Sequence, residues 1–194
     1  MRVIIVTVFL ITGILSFAQP AGIIVQKKPC GTNNGFKLFV SVKTNDSVLR
    51  SDGLYDLKGF DKLPDTIKLA MVEKLLAYEN DTSICCLKVS GYIHNYMEGC
   101  RGEPKSVSFN MQIDALFMIN RICFSRLTDF YSCHPVLYDS KTKKEINNDY
   151  NKIKTVFLEY RKWYDDCIKK GKIPAYFPFN NGRYVWYGGR KSME

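Results

Sequence analysis

The stretch from Ile146 to Ile168, INNDYNKIKTVFLEYRKWYDDCI, constrains this chain more than any other. Its apolar residues include Ile146, Tyr150, Ile153, Val156, Phe157, Tyr160, Trp163, Tyr164, Cys167 and Ile168. They recur at steps of mostly three or four, which gathers them on one face of a 3.6-residue helix. Lys152, Lys154, Glu159, Arg161, Lys162, Asp165 and Asp166 fill the rest and make a solvent face. Asn147 or Asn148 is the expected cap, because a short side-chain oxygen accepts from a helix-start N–H. Lys169 and Lys170 suit the negative end of the helix dipole. Gly171 fits a left-handed cap, and Pro174 discourages resumption. An aromatic stripe at helical spacing reads as core packing, not as a platform for bases or sugars.

Such a face needs a large apolar partner. The stretch that ends at Phe124 and is capped by Ser106 or Ser108 supplies one. Phe109, Ile113, Leu116, Phe117, Asn120, Cys123 and Phe124 share a face, and Met111, Ala115, Met118, Ile119 and Ile122 add apolar surface outside it. A helix apolar on so much of its circumference belongs at the centre. A third helix should start at Pro64, with Ile67, Ala70, Met71, Leu75 and Tyr78 inward, and end near Asn80. Ile84 to Met97 fits helix and strand almost equally, with helix slightly preferred and Gly91 weakening both. Short β pieces are expected near the ends. Phe36 to Val42 is rich in Phe and Val, Ala21 to Val25 is a strand or an arm, and Asn181-Gly182 ahead of Tyr184–Tyr187 is a hairpin signal. Thr44–Phe60 and Thr128–Lys144 read as connections. The expected fold is mainly α: about four helices in one compact domain, with short β-hairpin pieces near the termini.

Met1 and Arg2 precede a largely apolar run from Val3 to Phe17, and Ser16 and Ala18 stand at −3 and −1 of a cut before Gln19. A basic start, a short apolar core and a small-x-small site predict a signal peptide over 1–18. The run is shorter than the roughly 20 residues that span a bilayer. SFAQ resembles the end of a bacterial export signal. Residues 19–194 then form a single mainly helical domain, secreted or periplasmic, with no permanent membrane span after cleavage. Hydrophobic content of 46% argues for a packed globule and not for disorder.

Seven cysteines follow the cut: Cys30, Cys85, Cys86, Cys100, Cys123, Cys133 and Cys167. Oxidising conditions predict disulfides, and the odd count leaves at least one thiol outside them. Three bridges and one buried thiol is the working expectation. Cys85 and Cys86 are adjacent and should not bridge each other. With no C-x-x-C and two histidines, no metal and no cofactor is expected.

The net charge of +9 favours an acidic partner, such as a protein or an anionic polysaccharide. The charges are scattered among acids, with Lys141, Lys143 and Lys144 the densest group, so no nucleic acid is expected. Asn45-Asp46-Ser47 and Asn80-Asp81-Thr82 match the N-glycosylation pattern, which matters only in a eukaryotic secretory pathway.

Three constellations bear on chemistry. Cys133-His134 suggests a thiol nucleophile, yet adjacent residues seldom place thiol and base in contact, so His94 would have to serve or His134 would serve Cys100 or Cys123. The acid pairs Asp165-Asp166, Glu98 with Glu103, and Asp129 with Asp139 have the residue types for glycoside cleavage, but nothing fixes their separation. The aromatic tail, with Tyr176, Phe177, Phe179, Arg183, Tyr184, Trp186, Tyr187 and Arg190, offers a stacking or partner-binding surface. Walker, GxSxG, HExxH and dinucleotide signatures are absent from the sequence. The leading reading is a non-enzymatic binding or interaction module that binds through Arg183, Tyr184, Trp186 and Tyr187, with no catalytic residue. Its rival is a small exported hydrolase assembled from His94, His134, Cys133 and Asp139.

Overall fold

A computed structural model describes residues 22–31, 34–44, 47–51, 57–92 and 102–191. The expected signal peptide (residues 1–18), Asn45, Asp46, His94, Glu98 and Cys100 lie outside the described residues. Strands β1 (Ile23–Pro29), β2 (Phe36–Lys43) and β3 (Val48–Arg50) form an antiparallel sheet in the order β1-β2-β3. Helix α1 (Asp65–Leu76) follows, then α2 (Met111–Cys123) and α3 (Ser125–Tyr131). Strands β4 (Leu137–Asp139) and β5 (Lys144–Glu145) precede α4 (Tyr150–Lys170), and β6 (Tyr184–Trp186) completes the order. The second sheet, also antiparallel, has the order β5-β4-β6.

This architecture corrects the mainly α expectation. Among the described residues helices account for 41%, but two three-stranded antiparallel sheets hold 19% and make a mixed α/β fold. The second sheet escaped periodicity because its strands are two or three residues long and pair across distant segments. Asn181-Gly182 does not close a local hairpin. Tyr184–Trp186 pairs with Leu137–Asp139 instead. Trp186 N–H is held by the Asn180 side chain at 2.8 Å, with Asn180 itself in the left-handed region at φ 74°. Ile84–Tyr92 is not α-helical. Ile84 bridges Asn110, Cys85 N–H donates to the Phe109 carbonyl at 2.9 Å, and a 3-10 turn occupies Val89–Tyr92. The Cys30–Cys86 disulfide ties this segment to the end of β1, where a Cβ on Gly35 would lie 3.1 Å from Cys86 N. A helix there would break these pairings.

The two principal helices lie where periodicity places them. Every residue from Met111 to Asn120 is buried, so α2 is the central helix. Its cap is Asn110, whose Oδ1 accepts from Ile113 N–H at 3.1 Å, in place of Ser106 or Ser108. Helix α4 starts later than Ile146 because Asp149 caps it, accepting from Lys152 N–H at 3.2 Å. Asn147 is taken up elsewhere. It is buried, accepts from Leu137 N–H at 2.8 Å and donates to the Pro135 carbonyl at 3.0 Å. Gly171 ends α4 at φ 66°, and the helix turns its Ile153, Val156, Phe157, Tyr160, Trp163 and Cys167 inward.

The tail closes the core between α2 and α4. Phe179 stacks on Tyr160 with centroids 3.6 Å apart, and Phe177 packs edge-on to Phe124. Trp186 Nε1 donates to Tyr160 Oη at 2.8 Å, and Tyr160 Oη donates to Asn120 Oδ1 at 2.7 Å. Three elements far apart in sequence therefore share one buried polar chain. Full burial of an apolar or aromatic side chain of this size contributes about 1.5–3 kcal/mol. Among the described residues no helix is long and apolar enough to cross a membrane.

Candidate functional site

The last turns of α4 and the segment after Gly171 form a groove of about 540 Å³, larger than two others of about 210 and 230 Å³. Pro174 and Pro178 bracket Tyr176, which is 53% exposed, and Trp163 and Cys167 come from α4. Lys170 and Lys172 line the groove as cations, with Asp166 the carboxylate among them. Asp166 faces Lys169 at 3.7 Å in an exposed pair. The groove is made this way because Gly171 reverses the chain out of the helix. The prolines that follow cannot continue it, so the chain runs back beside the apolar face it has just left. Trp163 is almost fully buried, and its Nε1–H has no acceptor among the described residues.

The tail residues expected to bind have other engagements. Trp186 is 1% exposed and lies in the core, tilted 55° against Phe117 at 5.6 Å. Arg183 grips Asp139 with two bonds, Nε to Oδ1 at 3.0 Å and Nη2 to Oδ2 at 2.8 Å, and lies over the Tyr184 ring. Tyr187 is partly buried and donates from Oη to the Glu103 carbonyl at 3.0 Å. Arg183, Tyr184 and Tyr187 retain surface, while Trp186 has none to offer. Of the exposed tail aromatics, Tyr176 is the one that faces a groove.

Of the residues considered for a hydrolase, His94 lies outside the described residues, and no hydrogen bond joins the side chains of Cys133, His134 and Asp139 to one another. Cys133 is disulfide-bonded and is no nucleophile. Asp139 is fully buried, and the Arg183 guanidinium holds its carboxyl well below the usual carboxylate range. Its other partners are the Lys141 and Thr142 amides and, at 4.0 Å, Lys152. It braces the β4–β5 turn against β6. His134 is 5% exposed, its Nδ1 has no partner among the described residues, and burial pushes its pKa down. It packs against the Tyr187 ring. No bond joins His134 to Asp139.

Cys85, Cys123 and Cys167 are free thiols, which leaves at most two bridges among seven cysteines and corrects the expectation of three. Burial raises all three pKa values, that of Cys167 to about 11. This is opposite to what a nucleophile needs. Among the described residues no group of three or more His, Cys, Asp or Glu is placed to hold a metal.

The sequence had marked Lys170, Gly171 and Pro174 only as signals that end a helix, and Trp163 only as core. What joins them is the reversal at Gly171, which no period reports. A run of lysine, glycine and proline beside Tyr176 was the available clue. No protein-family model matches this chain, nor does any curated protein or solved structure.

Proposed function

We propose that this chain is an exported, non-enzymatic binding protein that takes an acidic segment of a partner protein into the groove at the C-terminal end of α4. The observation that carries this reading is the composition of the groove: Trp163, Pro174, Tyr176 and Pro178 as an apolar wall, with Lys170 and Lys172 at its polar side. An apolar wall rewards an anchoring side chain, and the lysines favour acidic flanks. A protein segment supplies both. An anionic polysaccharide supplies the charge without the anchor. Export is supported by the leader-like first 18 residues and by the Cys30–Cys86 disulfide.

The test is fluorescence polarisation with a labelled peptide carrying one Phe among glutamates, against the same peptide with lysines. The glutamate peptide should bind, and Lys170→Glu with Lys172→Glu should abolish binding while leaving the melting temperature unchanged. Equal binding of the two peptides, or binding that survives the double reversal, refutes the proposal.

A further inference from the structure

The opposite end of α4 carries a second concavity of about 230 Å³ with a different chemistry. Thr82, Ser108, Asn110, Gln112 and Asn148 line it together with Ile84, Phe109 and Tyr150, of which Ile84 is 60% and Tyr150 40% exposed. They come from the segments before and after the 93–101 stretch and from the start of α4. Among the described residues no Lys, Arg, Asp or Glu lines this groove, although the chain holds 28 basic and 19 acidic residues. From these observations we infer that the groove is a binding site for one ring of an uncharged saccharide.

Its floor is fixed. Met111 N–H donates to the Ser83 carbonyl and Cys85 N–H to the Phe109 carbonyl, both at 2.9 Å, so the two walls are paired backbone. The two amides in it are held in place. Asn110 Nδ2 donates to Gln112 Oε1 at 3.1 Å, and Gln112 Nε2 donates to the Glu79 carbonyl. Each amide nitrogen carries two hydrogens, and each has one such bond to a described residue. Thr82, Ser108 and Asn148 are exposed and bond to no other described side chain or backbone. Tyr150 Oη donates to Asn80 Oδ1 at 2.8 Å, which fixes the ring. Asn110 and Asp149 each hold a first-turn amide of their own helix, so the groove offers side chains and not a bare helix end.

Hydroxyls and carboxamides both donate and accept, as sugar hydroxyls do, and an aromatic face packs on the C–H face of a pyranose ring. A charged ligand would be desolvated here with no counter-ion. The volume is below the roughly 300 Å³ at which pockets for drug-sized ligands begin, which suits a single ring. This site is independent of the basic groove.

Saturation-transfer NMR on the whole protein tests it, with glucose, galactose, mannose and N-acetylglucosamine at millimolar concentration and glucuronate and glucosamine as charged controls. At least one neutral sugar should show transfer and neither charged control should. Tyr150→Ala and Asn148→Ala should each weaken binding about tenfold, the equivalent of one well-placed ring contact or hydrogen bond. Asn148 precedes the helix and is exposed, so its variant decides the matter if Tyr150→Ala lowers stability. Lys170→Glu with Lys172→Glu should leave transfer unchanged. No transfer to any neutral sugar, equal transfer to the charged controls, or transfer that persists in both alanine variants overturns the inference.

Discussion

The two ends of α4 have opposite characters, although one continuous helix carries both. At the start, Asp149 caps the first turn and pairs with Lys152 at 2.9 Å, so the positive end of the helix is answered within the chain. What remains there for a ligand is uncharged. At the other end, Lys169 and Lys170 stand against the negative pole, and Lys172 adds a further cation. A helix end carries about half a unit charge; Lys169 is paired with Asp166 at 3.7 Å, and Lys170 and Lys172 are the cations left to more than offset it. The described lining of the first end is uncharged and mixed polar and apolar, that of the second basic and apolar. The same macrodipole is neutralised at one pole and over-neutralised at the other, and that difference decides which ligand chemistry each pole attracts.

The most damaging way to break this comparison is to break the rod between the two grooves. Tyr160→Ala should cost about 3–5 kcal/mol, read as a large loss of denaturant midpoint, and both grooves should lose their ligands together. Tyr160→Phe is gentler and more informative. It keeps the ring against Phe179 but strips the partner from Trp186 Nε1 and Asn120 Oδ1. Leaving those groups unpaired should cost about 1–3 kcal/mol by equilibrium unfolding, with both grooves intact.

Acid should act on the scaffold more than on either groove. His134 titrates below its ordinary value of about 6.5 in the folded protein because it is buried. The unfolded chain therefore binds a proton that the native one refuses, and stability should fall as pH drops through that value. Glu159 works the other way. Burial raises its pKa, so the folded state holds the extra proton and gains stability as the pH falls toward the ordinary carboxylate range. His134→Gln should remove the loss between about pH 7.5 and 6, which urea midpoints at those two values would show, and leave the Glu159 effect at lower pH. An unchanged slope would mean that His134 is hydrated in solution.

Salt should separate the ends by the smallest margin. Raising ionic strength from about 0.05 to 0.5 M should weaken peptide binding at the basic groove several-fold, while sugar binding at the neutral one stays constant. A shared salt dependence would erase the distinction between them.

What the sequence disclosed follows the range of the interactions concerned. The inward face of α4 and the burial of α2 are local, periodic facts, and Ile153, Phe157, Tyr160 and Met111 could be placed by spacing alone. The start of α4 could not, because Asn147 is claimed by Leu137 and Pro135 across a turn. The second sheet was hidden for the same reason. Leu137, Tyr138 and Asp139 read as a connection until Tyr184–Trp186 arrives from the far end of the chain. Trp186 looked like an exposed hairpin residue because its acceptor, Tyr160, lies on a helix that hides it only in three dimensions. Both grooves are juxtapositions of segments, and residue types alone do not announce them.

The chain of bonds from Trp186 through Tyr160 to Asn120 also bears on the order in which the molecule is finished. Asn120 and Tyr160 leave the ribosome well before Trp186 does. Until it arrives, the Tyr160 hydroxyl lacks its indole donor and Phe117 lacks the ring that packs on it. The central seam therefore stays open until Trp186 is in place. A product that terminates before Asn180 lacks Trp186, and leaves the Tyr160 hydroxyl without its indole donor and the Phe117 ring uncovered on that side.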